Sequence, residues 1–209
     1  MVAAAVRGRQ LPLLARVFLR TPGWRPLVPM VAISFGLLVW AEVTGHQDAV
    51  LWLLRGSAIL LAVGATYVID DAAESLTSSS PTRLGIRRAV PVFVVLLALA
   101  VVWAGLLGYA ATVSPEDLPV VDLTVELAAL LALGLAFAAV FGAVGAGPGV
   151  VMAVIVAQRL PARWSLYAGA PGDSAWSSAH KRWVVLIVIA VAALVWRSRD
   201  PASRRGVLT

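Results

Sequence analysis

The sequence predicts an all-α, polytopic membrane protein: a basic amphipathic helix lying at the membrane surface, then six transmembrane helices with the fifth short or re-entrant. Three observations predict it. First, 60% of the 209 residues are hydrophobic and only 13% charged, against about a quarter charged in an ordinary soluble domain. Second, the charges collect in the breaks between long apolar windows, as they do when lipid replaces water as the main solvent. Third, sixteen arginines and one lysine outweigh eleven acids, and the basic residues sit beside the apolar spans. That placement fits anchoring at a membrane face rather than a soluble basic surface for nucleic acid. Cysteine is absent, which excludes disulfides and thiolate metal sites.

Residues 1–23 form the first unit. On a helical wheel Leu11, Leu14 and Phe18 share one face, Arg16 and Arg20 fall opposite, and Arg9 lies upstream on the polar side. Such a helix rests in the interface with its arginines towards anionic headgroups. Pro12 suits a first helical turn, and Thr21-Pro22-Gly23 ends the element. No unbroken apolar core followed by a small-residue site occurs in 1–20, so a cleaved secretory leader is not expected.

The second unit, 24–198, is the transmembrane domain, each span needing about 20 residues. Apolar windows predict spans over 26–41 (reaching Thr44 at its polar end), 49–69 (interrupted only by Arg55), 89–113 and 121–144. The Gly-Ala-Gly-Pro-Gly run at 145–149 predicts a break before a short fifth span over 150–157, and the sixth covers 183–196. Trp40, Trp52, Trp183 and Trp196 fall near predicted interfaces, as aromatic belts do. Small residues in the fourth span (Gly134, Ala136, Ala138, Ala139 and Gly142) allow close helix approach. The third unit, 199–209, is a basic cytoplasmic tail.

Loop charge sets the expected orientation. Five arginines and no acid precede the first span, Arg83, Arg87 and Arg88 lie between the second and third, and Arg197, Arg199, Arg204 and Arg205 close the chain. The loops carrying Glu42 and Asp48, and Glu116, Asp117 and Asp122, hold no lysine or arginine. By the positive-inside rule both termini are cytoplasmic, with an even number of crossings of the plasma (inner) membrane. The segment 158–182 resists this scheme. It should be external, yet it carries Arg159, Arg163, Lys181 and Arg182; a partly embedded external helix and loop would accommodate it.

The loop after the second span is the most informative stretch. Asp70, Asp71 and Glu74 would oppose the dipole at the end of a membrane helix, and fit better at the start of a new helical turn. Ser80 is then a plausible cap, Pro81 a tolerated first helical residue, and Arg87 and Arg88 hold the start of the third span. With Asp71, Glu74, Leu76, Ser80, Pro81, Thr82 and Arg83, followed by Leu84 and Ile86, the chain resembles the permease subunits of type 2 ABC transporters, at half size. Those proteins place a basic elbow helix before six membrane helices, and an acidic segment, a Leu and a Ser/Thr-Pro-basic sequence between the second and third. Their usual Gly-Thr pair before the second acid is Ala72-Ala73 here.

The resemblance implies a loop, Asp71 to Arg83, that couples the chain to a separate ABC ATPase subunit. It also implies pairing with a second permease copy, identical or related, around a central path in contact with membrane lipids. No G-x-x-x-x-G-K-[ST] phosphate loop occurs, so ATP and Mg would bind the partner and none would bind this chain. ATP-driven closure of the ATPases would switch the bundle between two states.

Arg55 and Glu126 are the only ionisable residues well inside predicted spans, each within about two turns of the expected external end. Contact with a substrate or ion, and structural anchoring by snorkelling or mutual pairing, are both open to them. His46 and His180 are expected as exposed loop residues. There is no H-E-x-x-H helix, no G-x-S-x-G turn and no pair of intramembrane carboxylates, so no catalytic, metal-binding or cofactor-binding residues are expected and the chain is not expected to be an enzyme. An ion-coupled secondary carrier, which typically shows internal repeats and broken midplane helices, and a non-transporting scaffold subunit are the alternatives.

Overall fold

A computed structural model describes residues 25–77, 84–114, 118–141, 143–161, 164–167, 171 and 174–198, with backbone alone for 69–77, 84–91, 143–144 and 195–198. The interfacial helix with Leu11, Leu14, Arg16, Phe18 and Arg20, the coupling residues Ser80, Pro81, Thr82 and Arg83, Arg163 and the tail 199–209 lie outside the described residues. So does the side chain of Trp196.

Helix α1, Leu27–Thr44, begins directly after Pro26, where a proline lacks only an N–H that would be orphaned anyway. It ends at Gly45, whose φ of 73° is left-handed. The chain can then fold back, so that the His46 N–H donates to the Ala41 carbonyl at 2.9 Å. A side chain at position 45 would strain that turn. A single 3-10 turn, Gln47–Ala49, leads into α2, Val50–Thr77. The sequence predicts that this helix stops near Ile69 and that the acids beyond start a new one. Instead one helix runs through Asp70, Asp71 and Glu74 to Thr77. Ala72 and Ala73 are strong helix formers, and no Gly or Pro intervenes to end the ladder.

Helix α3, Leu84–Val113, and α4, Val120–Phe141, follow. Pro119 precedes α4 and accepts from the Leu123 N–H at 3.0 Å, while Asp122 places a negative charge in its first turn, where the helix dipole favours it. Helix α5 is Ala143–Arg159 and α6 is Ser174–Ser198. Both differ from expectation. The glycine-rich run at 145–149 is no break: α5 passes through it with Pro148 inside the helix, as membrane helices allow where neighbours cover the freed backbone groups. Helix α6 begins nine residues before the expected 183, because 174–182 contains no residue that breaks a helix and polar residues need not leave one.

All regular structure among the described residues is helical, and five helices are long and apolar enough to cross a membrane. The chain is a multi-pass helical membrane protein. At 17 residues α5 spans about 26 Å, a little short of the roughly 30 Å of hydrocarbon.

Helix α2 is the hub. It packs against α1, α3, α4 and α5, while α6 lies chiefly on α4. Leu54, Leu61, Leu99, Leu106, Leu123 and Leu130 form the buried core around it. Glycines bring its far half close to its neighbours. A Cβ on Gly64 would lie 3.2 Å from the Leu27 Cα, one on Gly147 2.7 Å from the Tyr67 ring, and one on Gly149 2.7 Å from the Phe137 ring. The residues read as a breaker are thus the face by which α5 seats on α2 and α4.

Candidate functional site

Three helices that start at one end of the bundle each carry an ionisable residue at the same depth. Arg55 lies five residues inside α2, Glu126 six inside α4 and His180 six inside α6, a level roughly 8–9 Å from each helix start. All three are buried, at 3%, 1% and 6% exposure respectively. The structure therefore brings together two intramembrane charges that the sequence singled out, and joins them to a histidine that it did not.

The geometry is a clamp on one carboxylate. The Arg55 guanidinium donates through Nε to Glu126 Oε1 and Oε2 at 3.2 and 3.1 Å, and through Nη2 to Oε1 at 2.9 Å. His180 Nε2 lies 3.1 Å from the same Oε1, and His180 Nδ1 lies 2.9 Å from the Trp176 carbonyl oxygen one turn back. Bidentate arginine geometry fixes direction as well as distance. That suits a pair whose members lie 71 residues apart in the chain.

Aromatic rings close the box. The Arg55 Cζ sits 4.6 Å from the Trp176 ring centre, 5.0 Å from Trp52 and 5.1 Å from Tyr167, each within reach of cation–π attraction. Trp176 also lies tilted against His180, with ring centres 4.6 Å apart. Its Nε1–H donates to Asp122 Oδ2 at 2.5 Å. Among the described residues Arg55 Nη1 and the Tyr167 hydroxyl have no hydrogen-bond partner; the rings around the guanidinium stand where an acceptor would otherwise be. Burial pushes the Tyr167 phenol above its ordinary value, the negative charge of Glu126 adds to the rise and Arg55 opposes it. Tyr167 therefore stays neutral.

The segment leading into α6 is fastened to the same end. Trp183 is buried, meets Tyr167 edge-on, and donates through Nε1 to the Leu166 carbonyl at 3.0 Å. Arg182 Nη1 donates to the Ser165 carbonyl at 2.8 Å. Trp183 is thus a core residue rather than an interfacial belt residue, whereas Trp40 and Trp52 are exposed as belt residues are. His180 departs from the expected exposed loop for one reason: the helix begins before it. His46 does sit between elements and is exposed, with Nδ1 3.0 Å from Thr44 Oγ1.

Sequence reasoning missed His180, Trp176, Tyr167 and Asp122. The signal that could have found the first two is the four-residue spacing of Trp176 and His180 in a stretch free of glycine and proline, which places both on one helical face. Between α3 and α4 opens an apolar groove of about 350 Å³, lined by Leu96, Leu99, Trp103, Leu107, Leu127 and Leu131 among others. The Trp103 Nε1–H donates there to Thr124 Oγ1 at 3.1 Å. Among the described residues no group of His, Cys, Asp and Glu is placed to hold a metal ion.

The other candidates are dispersed. Asp71, Glu74 and Leu76 lie on the last turns of α2, at the opposite end of the bundle from Arg55. No protein-family model, no curated protein and no solved structure matches this chain.

Proposed function

We propose that the chain is the membrane-spanning permease subunit of an ATP-driven ABC exporter. It would dimerise with a second copy or a related chain, with a separate ATPase docked on the segment after α2. The observation that carries this reading is the length of α2. Its apolar window ends at Val68, yet the helix continues to Thr77, a projection of about 13 Å at 1.5 Å per residue. That projection carries Asp70, Asp71 and Glu74 on helical backbone continuous with the most buried helix of the bundle. A push on 70–83 from a cytosolic partner is thereby delivered to α2, and through α2 to the four helices packed on it.

In this reading 70–88 lie in the cytosol, as the positive-inside rule expects of Arg83, Arg87 and Arg88, the ATPase supplies ATP and Mg chemistry, and the permease supplies the path and the two-state element. The α2 projection would then move while the clamped end around Glu126 stays together.

Purification of the tagged chain from its native membrane in mild detergent tests this. An ATPase subunit should co-purify, and ATP hydrolysis should drive flux in sealed vesicles. Glu74→Lys and Arg83→Glu should each reduce ATPase attachment or coupled flux several-fold while the protein still inserts. Wild-type transport in both variants, or flux driven by a proton gradient with this chain alone, would overturn the assignment.

A further inference from the structure

The groove between α3 and α4 is a gap that the bundle does not close. Its floor is Leu99, Trp103 and Leu107 on α3 with Leu127 and Leu131 on α4, all buried. Its lips include Ala100, Ala104 and Ala128, exposed alanines that leave the outer side open. Two lining side chains are polar, and both are satisfied. The Trp103 Nε1–H donates to Thr124 Oγ1 at 3.1 Å, and the Thr124 hydroxyl donates to the Val120 carbonyl at 2.7 Å. Walls of this kind give water or a polar ligand nothing to bond. Left empty, about 350 Å³ of such space would forfeit the dispersion contacts that close packing supplies. The chemistry of the groove calls for hydrocarbon.

Depth and width decide which hydrocarbon. Measured from the start of α4, the lining runs from Thr124 to Leu131, about 6 to about 16 Å in. Measured back from the end of α3, it runs from Leu107 to Leu96, about 9 to about 25 Å in. Both ranges begin inside one interface and reach or pass the midplane, which lies about 15 Å deep. An acyl chain of that leaflet follows the same path. Spread over the roughly 16 Å of α3 that it lines, the volume leaves a slot about 5 Å across. That is room for one hydrocarbon chain at carbon contacts of about 3.5–4.0 Å. A helix, about 10–12 Å across, could offer the slot only the tips of its side chains.

The chain's own remaining segments do not fit. Residues 1–24, 78–83 and 199–209 join the described helices at the opposite end and each carries arginine, which an apolar slot would strip of water. Between the described residues at this end, the runs 115–117, 162–163, 168–170 and 172–173 are too short to line it.

We propose that this groove is a binding site for one acyl chain of a membrane phospholipid, taken from the leaflet at the end where α2, α4 and α6 begin. The chain fills the gap between α3 and α4 that their own side chains leave. The site goes beyond the transport reading and holds with or without an ATPase.

The test uses the full chain in phosphatidylethanolamine and phosphatidylglycerol vesicles containing a trace of phospholipid with a photoactivatable diazirine near the methyl end of one acyl chain. After irradiation, peptide mass spectrometry should find several-fold more label on Leu96, Ala100 and Leu131 than on Val184, Val185, Val188 and Ile189, which α6 exposes at similar depth. Leu131 is the sharpest reporter, because it is buried on the floor and only an inserted chain reaches it. Ala104→Leu/Ala128→Leu fills the groove from two exposed positions. It should cut the label on Leu131 several-fold and leave that on α6 unchanged, which also shows that the variant inserts and folds. Equal labelling of the two faces in the wild type, or groove labelling that the filled variant leaves intact, would overturn the site. A second copy seated in the groove is tested with Ala104→Cys in this cysteine-free chain. Oxidation in the membrane should give no disulfide-linked dimer, since a dimer formed through another face keeps these thiols apart. Efficient cross-linking would assign the groove to a second copy and overturn the lipid site.

Discussion

The two halves of the bundle are held together in different ways. At the end where α2, α4 and α6 begin, side-chain hydrogen bonds cross between helices: Arg55 to Glu126, His180 to Glu126, Trp176 to Asp122, Trp103 to Thr124, and Tyr109 to Glu42. In the other half the closest approaches are made by glycines, with Gly64 against Leu27, Gly134 against Thr66 and Val150, Gly147 against Tyr67 and Gly149 against Phe137. The Ser34 and Thr66 hydroxyls there bond within their own helix, to the Met30 and Val63 carbonyls. Lipid tails give helices no hydrophobic reason to associate, which leaves polar links and tight van der Waals contact as the two sources of cohesion. This chain uses one in each half. A polar link fails at one step when a partner leaves, whereas a packed surface can give gradually. The first half is therefore suited to hold as a latch and the second to shift by degrees.

The largest expected effect comes from removing the carboxylate on which the latch converges. Glu126→Leu leaves the Arg55 guanidinium buried without its acceptor, a change that costs about 3–5 kcal/mol at comparable sites. Thermal unfolding in detergent should show a large drop, or the protein should fail to accumulate. The double variant Arg55→Leu/Glu126→Leu should recover part of that loss, because it leaves neither charge alone. If Glu126→Leu were as stable as the wild type, the polar half would not depend on its ion pair and the contrast between the halves would disappear.

The packed half is tested by Gly134, which faces α2 and α5 at once. A Cβ built there would collide with Thr66 Cγ2 and lie 3.1 Å from Val150 Cγ2. Overpacking of this kind costs about 1–3 kcal/mol, so Gly134→Leu should lower stability by less than Glu126→Leu. Thr66→Ala should relieve the milder Gly134→Ala by removing the methyl it strikes, and a double-mutant cycle reads that coupling directly. Independent, additive effects of the two substitutions would show that α4 and α2 do not meet at this point.

What the sequence disclosed follows from which signals are local. Arg55 and Glu126 stood out because each interrupts an apolar window, and such a charge needs a partner wherever it lies. That they partner each other is a matter of helix packing across 71 residues of chain, which no local pattern encodes. His180 was hidden by a boundary: apolar content begins at Trp183, but the helix begins at Ser174. Two and a half turns with little apolar content look like loop when hydropathy alone is read. The glycines at 145–149 misled in the opposite direction, since the residue that loosens a helix in water is the one that lets helices approach in lipid. The acids on α2 misled through the dipole argument. The opposition is worth only about 0.3–1 kcal/mol at a solvated helix end, too little to stop a helix that Ala72 and Ala73 extend.

Trp176 allows the latch to be taken apart one contact at a time. Its ring covers both Arg55 and His180, while its Nε1–H reaches Asp122. Trp176→Phe keeps an aromatic face over Arg55 and His180 and removes only the hydrogen bond, and Asp122 is half-buried rather than enclosed, so its carboxylate can turn to water. The expected loss is about 1 kcal/mol, the usual net value of one such bond. Trp176→Leu also removes the ring, and with it a cation–π contribution of roughly 0.5–2 kcal/mol, so it should be the less stable of the two. Thermal unfolding of both variants beside the wild type reads the order. Equal losses would show that the ring contributes nothing beyond its bond to Asp122. Cohesion at this end would then rest on hydrogen bonds alone, without the aromatic cover that lets an arginine and a histidine share one carboxylate.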